Sequence, residues 1–501
     1  MAKGHIRVQA TAGDQAIPIA DADVVIKQRN SPTIYKTHTD SNGTTDDFPL
    51  PDYCNDGTQS DNYANPVYAL CDVDVNAKGF VTRHIRGVEI LYNQTAILPV
   101  HMEPLADEEN PEQEDVTEIP PNGKLNPDDY IIKASSPVRS QNEVVIPDYI
   151  TVHLGRPEDS SARNVRVAFV DYIKNVASSE IYATWPEQSL RANIHAIVSF
   201  ALNRVYTEWY PNRGYNFDIT NSTSYDQYFR YDGPIYESIS HITDEIFNVY
   251  AHRFGFRNPY FTQFCDGRTV SCPGMSQWGT VTLANQGKNA LEILRYYYPK
   301  DLMLTQTDNI AGIENSYPGT PLTVGSEGED VRRIQNDLNR IRANYPLIPM
   351  ITNPNGVFTP ETQNAVTTFQ RVFNLPADGI VNQATWNRIS SIFTAVTRLA
   401  ELGGEGIRYT VGLVPPNVTL SQGSRGHDVL EMQFIMNIVS AFFPSVPPVI
   451  MDGVFGESDR LAVIEFQKTF DIPQTGNVGP LTWEKLYSVY RGIRANVRIP
   501  G

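Results

Sequence analysis

The chain has 501 residues, too many for one hydrophobic core, and the usual domain size leads us to expect three or four domains. Its 57 acidic and 40 basic residues give a formal net charge of -17, which argues against nucleic acid as a partner, since DNA is bound through Lys and Arg contacts to phosphate. Met1 to Arg7 lacks the apolar stretch of a signal peptide and no window reaches membrane-span length, so we expect a protein made in the cytoplasm without a membrane segment. Four cysteines, Cys54, Cys71, Cys265 and Cys272, are too few for a disulfide scaffold and leave the redox compartment open.

Residues 4–104 alternate apolar and polar positions in short runs, as in Ile17-Pro-Ile-Ala-Asp-Ala-Asp-Val-Val-Ile26, separated by turn clusters such as Asp40-Ser-Asn-Gly43. That pattern predicts a β-sandwich over 1–104. The order Ile17 to Ile26, then Thr39-Asp-Ser-Asn-Gly-Thr44, then Val73-Asp-Val-Asn-Ala-Lys-Gly-Phe80 resembles the transthyretin-like modules attached to many secreted enzymes. From Glu103 to Glu118 there are eight acidic residues and no basic one, with Pro104, Pro111, Pro120, Pro121 and Pro127 nearby. Too little apolar surface is present for this stretch to fold alone, so 105–145 is expected to be an exposed linker, serving as a solvated spacer, as the target of an activating protease, or as both.

From 146 to 310 the pattern turns helical and aromatic, predicting an α+β domain. One helix is expected over about Val167 to Ser179, ending beside Glu180. A second is announced by Thr184-Trp-Pro-Glu187, with Thr184 as cap and Glu187 three residues on, and a third is expected over Val281 to Tyr297. Further on, Gly325, Val331, Gln335, Gly356-Val-Phe358, Phe369-Gln370, Gly379 and Thr385-Trp386 recur as Gly423, Val429, Gln433, Gly453-Val-Phe455, Phe466-Gln467, Gly476 and Thr482-Trp483. The offset stays at about 97 or 98 residues, so two copies of a three-helix module occupy 320–395 and 418–490. The repeated pattern resembles the peptidoglycan-binding domain of many wall hydrolases, which implies glycan strands of peptidoglycan as partner. Phe369, Phe466, Trp386 and Trp483 fall at helical core positions, leaving the turns at Asn355-Gly356 and Asp452-Gly453 as surface candidates. Two copies would add avidity rather than catalysis.

Three ordered motifs mark the central domain. Asp171 to Asn193 contains Ser179-Glu-Ile181, Trp185-Pro186 and Ser189-Leu-Arg-Ala192; Thr220-Asn-Ser-Thr-Ser-Tyr-Asp-Gln-Tyr228 follows; Pro273-Gly-Met-Ser-Gln-Trp-Gly279 closes, ahead of Ala284-Asn-Gln-Gly287 and Ile293 to Pro299. They resemble the signature of the stage II sporulation protein D family. That likeness implies a lytic transglycosylase cleaving the bond between N-acetylmuramic acid and N-acetylglucosamine, with the catalytic glutamate at Glu180. The combination with an N-terminal extension and two binding modules resembles the clostridial spore cortex-lytic enzymes, implying a proenzyme of the spore cortex or coat region that acts in germination.

The chemistry asks for such a residue independently: an acid must protonate the leaving oxygen, and apolar surroundings such as Ile181, Tyr182 and Trp185 raise a carboxyl's pKa. With the muramoyl 6-hydroxyl as nucleophile and the substrate's N-acetyl group assisting, one acid/base suffices and no cofactor is called for. Tyr225, Gln227, Tyr228, Ser276 and Gln277 are candidate glycan contacts. Glu187 and Glu208 are alternative carboxylates, Glu187 being already assigned to a cap. Cys265 and Cys272 fall where relatives bind zinc, but they lack the adjacent histidine; His241 or His252 would have to complete a site, with free thiols or a disulfide as the alternative. Two rival readings remain open: a non-catalytic wall-binding protein or amidase enhancer, and a structural protein of the spore surface.

Overall fold

The computed structural model describes residues 3–29, 31–51, 68–105, 113–120, 144–268, 271–311, 317–403, 415–416 and 418–496. Cys54 and, within the expected linker, residues 106–112 and 121–143 lie outside the described residues, so the expected protease target over those stretches does too.

The N-terminal part builds two sheets. The first joins β1 (Lys3–Ala12), β2 (Ile17–Pro18), β5 (Phe48–Pro51) and β8 (Thr95–His101); the second orders β4 (Ile34–His38), β3 (Asp23–Gln28), β6 (Tyr68–Asn76), β7 (Thr82–Leu91) and β9 (Glu114–Glu118). Both are mixed, since β1 and β8 run parallel, as do β7 and β9. Period-2 alternation sends Ile6 and Val8 of β1, Val24 and Ile26 of β3, and Val73 and Val75 of β6 into one core between the sheets.

β9 corrects the expected linker. Its five residues come from the acidic stretch, yet they pair with β7 from Thr82↔Glu114 to Arg86↔Glu118, and Leu105 and Ile119 are buried. A strand needs only an edge with free N–H and C=O groups, and here the charge has a use: Asp115 pairs at 2.5 Å with the buried Arg83 guanidinium.

The central part follows. β10 (Tyr149–His153) pairs with β11 (Asn164–Ala168) and with β12 (Ile219–Thr220). Between them run α1 (Phe169–Glu180) and α2 (Glu187–Tyr206). The expected capping box at Thr184 is not formed: Pro186 holds the cap position without a side-chain bond, and Glu187 pairs with Arg191 instead, at 2.7 Å. Next, β13 (Ile235–Tyr236) leads into α3 (Glu237–Ile246) and β14 (Val249–Arg253). β15 (Phe264–Cys265) and β16 (Met275–Ser276) form a short parallel pair.

Where one helix was expected over Val281 to Tyr297 there are two, α4 (Gln277–Asn285) and α5 (Ala290–Tyr297). Gly287 at φ +80° breaks the run, and Asn289 with Glu292 forms a capping box that starts the next helix. β17 (Leu302–Gln306) then pairs with β14.

β13 belongs to two regions at once. It comes from the central part but extends the first N-terminal sheet, pairing antiparallel with β8 through Ile235↔Ile97 and Tyr236↔Ala96.

The C-terminal region is helical: α6 (Glu329–Ile341), α7 (Pro360–Val372) and α8 (Gln383–Gly403), then α9 (His427–Phe442), α10 (Glu457–Thr469) and α11 (Pro480–Asn496). Phe369, Trp386, Phe466 and Trp483 are fully buried, as the repeat predicted, and each contributes roughly 3 kcal/mol of apolar burial. The repeated Gln and Gly positions have one shared purpose. Gln335 accepts the Gly356 N–H at 2.9 Å and donates to the Val357 carbonyl, and Gln433 does the same with Gly453 and Val454. Gln370 and Gln467 hold Gly379 and Gly476 in the same way. All four glycines have positive φ, so a buried amide pins a turn that only glycine adopts without strain.

Both modules dock through corresponding faces. Asn344 and Asn374 of the first bond to Ala16 and Gln9, while Lys468 of the second reaches the Ala162 carbonyl and His101 lies 2.8 Å from the Phe442 carbonyl oxygen.

Candidate active site around Glu180

Glu180 is the last residue of α1, half-buried, where the chain leaves the helix at Ile181 in extended conformation. One carboxylate oxygen accepts the backbone N–H of Tyr228 at 2.8 Å; the other accepts Nε2 of Gln277 at 3.1 Å. The three sequence motifs therefore converge on this side chain. Burial holds its carboxyl above the usual carboxylate range, while the two donors pull it down and the charge of Asp266 pushes it up.

Aromatic rings stand beside it. Tyr182, Trp185 and Trp278 form one cluster with centroids 4.8 to 5.8 Å apart, and the Arg268 guanidinium lies 3.6 Å over Trp278. Burial pushes the Tyr182 hydroxyl up to about 12, keeping it a neutral donor.

The loop after β12 is fixed by one buried carboxylate, Asp226. It receives Arg204 Nε at 2.7 Å, the Tyr210 hydroxyl at 2.6 Å, and both the N–H and the hydroxyl of Thr220. This anchors the segment that presents the Tyr228 N–H. Arg230, two residues on, donates Nε to Ser179 Oγ, next to Glu180, and Nη1 to Glu89 of β7 at 3.2 Å.

The third motif is packed as tightly. A Cβ on Gly274 would strike the Gln263 carbonyl, and one on Gly279 the Tyr297 hydroxyl. Ser276 caps α4 by accepting the Gly279 N–H at 3.0 Å, which aims the next residue, Gln277, at Glu180.

These contacts reassign several expected glycan ligands. Gln227 has no exposed surface; it accepts the Tyr172 hydroxyl at 3.0 Å and donates to the Ile197 carbonyl, so it supports the fold from within. Gln277, buried, faces Glu180, and Ser276 is a helix cap. Tyr225 and Tyr228 are half-exposed and stay available. Glu187 and Glu208 are exposed, and no contact joins either to Glu180.

Cys265 and Cys272 form a disulfide with Cα atoms 6.1 Å apart, and Cys71 is a buried free thiol. Among the described residues no group of three or more His, Cys, Asp or Glu is arranged to hold a metal. His252 lies instead on β14, with Nε2 2.7 Å from Thr305 Oγ1. A cavity of about 260 Å³ between the N-terminal sheets, the central part and the first module is lined by Arg166, Lys174, Asp244 and Asn387, not by Glu180.

Two features were missed at the level of sequence. Asp266 follows Cys265 directly and is nearly fully buried; the Cys-Asp-Gly turn was its one local signal. Glu89 lies 141 residues from Arg230 on a strand read only as core, and nothing local marked it.

Residues 327–389 and 426–486 match the family model described as "Putative peptidoglycan binding domain". No curated protein and no solved structure matches the chain. No described helix is long and apolar enough to cross a membrane. The C-terminal region therefore carries two modules of the peptidoglycan-binding type, which supports peptidoglycan as their partner.

Proposed function

We propose that the protein is a peptidoglycan lytic transglycosylase with Glu180 as its single acid/base. The observation that carries this reading is a carboxyl held at a helix end by the Tyr228 N–H and Gln277, with burial keeping it above the usual carboxylate range. A carboxyl shifted in this direction is the kind that general acid catalysis of glycoside cleavage uses.

In the first step Glu180 gives its proton to the glycosidic oxygen as the bond to muramoyl C1 breaks, and the departing N-acetylglucosamine leaves with a free hydroxyl. The substrate's own acetamido oxygen holds C1 meanwhile, as in other substrate-assisted glycosidases. In the second step the carboxylate takes the proton of the muramoyl 6-hydroxyl as the hydroxyl oxygen bonds to C1 and the C1 bond to the acetamido oxygen breaks, restoring the acetamido group. The product is a 1,6-anhydromuramyl end, and Glu180 is protonated again. Tyr225, Tyr228 and the Tyr182 ring offer faces and hydroxyls to the sugars, and the two modules raise residence on the polymer.

By resemblance we further read the substrate as spore cortex, the setting as germination, and the N-terminal part as a transthyretin-like sandwich of a proenzyme cut within the linker expected over 105–145. The test is mass spectrometry of soluble products after incubation with purified cortex. Anhydromuramyl fragments from the wild type and none from Glu180→Gln are expected. Wall binding with no release by either the intact or the protease-cut protein would instead mark a binding protein or amidase enhancer.

A further inference from the structure

We propose that the N-terminal sandwich is a fixed part of the Glu180 site, so that cutting the chain between residues 121 and 143 leaves the N-terminal fragment bound to the rest. The contact is built like a protein interior rather than like a tethered neighbour. β13 completes the edge of the first sheet against β8, so separation would strip both strands of their paired backbone groups. Tyr236, on that strand, donates its hydroxyl to the Glu89 carbonyl at 3.2 Å, and its own N–H goes to Ser178 Oγ in α1.

Charge makes the same argument more strongly. Of the five ion pairs that cross between the fragments among the described residues, two are buried on both sides: Arg230 with Glu89, whose side chains are 0 % and 1 % exposed, and Arg83 with Asp232, at 1 % and 6 %. Thr117 of β9 also donates to Asp232 at 2.7 Å, which brings the end of the N-terminal fragment into the seam. Pulling the parts away would leave charges on each face without the partners they fold around, and a charge that has lost its buried partner is strongly disfavoured.

Arg230 ties this seam to the candidate site. It is held by Asn175 through its backbone N–H at 3.0 Å, bonds Ser179 beside Glu180, and follows by two residues the N–H donor at Tyr228. Glu89 is thus a positioning residue supplied to the central part by the N-terminal one. Loss of the covalent connection removes only the effective concentration that the tether provides, not these contacts. A protease acting between 121 and 143 would produce a two-chain protein rather than shed a fragment. The inference concerns association alone and stands apart from the glycan chemistry.

The test uses the full chain with a site-specific protease sequence placed between 121 and 143 and a tag at the N-terminus. After complete cutting, size-exclusion chromatography at micromolar protein and native mass spectrometry should show both fragments in one species. Two separate species would overturn the proposal. In the cut protein, Glu89→Gln should weaken association at least about tenfold, read from fragment loss on dilution. Should that variant not fold, Asp232→Asn probes the second pair in the same way. Association as tight as wild type in either variant would overturn the assignment of the seam to its ion pairs.

Discussion

In the C-terminal modules four buried glutamine amides are used on both sides: Gln335, Gln370, Gln433 and Gln467 each accept one turn N–H and donate to carbonyls or hydroxyls. Around Glu180 the balance is different. Its carboxylate receives two donors, yet burial still outweighs them and lifts its pKa. The two regions teach that a buried polar group with all its partners specifies a fold, whereas one left partly uncompensated is poised to change protonation state.

The sharpest way to test that contrast is to remove the proton donor. Glu180→Gln keeps the shape and one acceptor oxygen for the Tyr228 N–H, while Gln277 must turn its amide to accept from the new Nε2; release of anhydromuramyl products should fall at least about 1000-fold while binding to insoluble wall is unchanged. Loss of folding in this variant, seen by circular dichroism, would move Glu180 into the structural class and break the comparison.

On the other side, Gln433→Ala strands the Gly453 N–H and the Val454 carbonyl. The second module should lose about 3 kcal/mol, visible as faster hydrogen exchange in α9 and α10 with the Glu180 region unaffected.

Asp337 lies between the two classes. It is buried in the first module beside Arg333, at 3.4 Å, and burial pushes its carboxyl up from 3.8 to about 6. The folded state therefore binds this proton more tightly than the unfolded chain does. Its contribution to stability is fully present below about pH 4 and is lost as pH rises through about 6. In the second module the corresponding position is the apolar Ile435, fully buried. Asp337→Asn should stabilise the first module by about 2 kcal/mol at pH 7 and flatten its pH dependence, measured by thermal unfolding at a series of pH values.

The smallest expected effect comes from Gln277→Ala. Gln277 lowers the Glu180 pKa, so its loss should raise that pKa, carry the alkaline limb of the kcat/KM profile to higher pH, and cut the rate about tenfold through looser positioning. An unmoved limb would mean that Gln277 serves only to pack α4.

Much of this molecule is written locally. Turn glycines and helical spacing reveal the two modules because their turns are pinned by nearby side chains, as Gly356 is by Gln335. The end of α1 at Glu180, the aromatic setting of Trp185 and the start of α2 near Pro186 are likewise set by neighbours in the chain. Other features have no local sign. β9 forms in a stretch whose charge suggested a solvated spacer, because β7 offered an edge and Arg83 needed a counter-ion. Gln227 and Gln277 share a residue type and lie in equally polar motifs, yet one faces Tyr172 and the other Glu180. Amino-acid pattern determined the two C-terminal modules and singled out Glu180 as the candidate acid; only the tertiary structure decided which side chains reach it and that Glu89 anchors Arg230 beside it. The physical reason is that periodicity encodes which face of an element is buried, while the partner met on that face comes from distant segments, 141 residues away for Arg230 and Glu89.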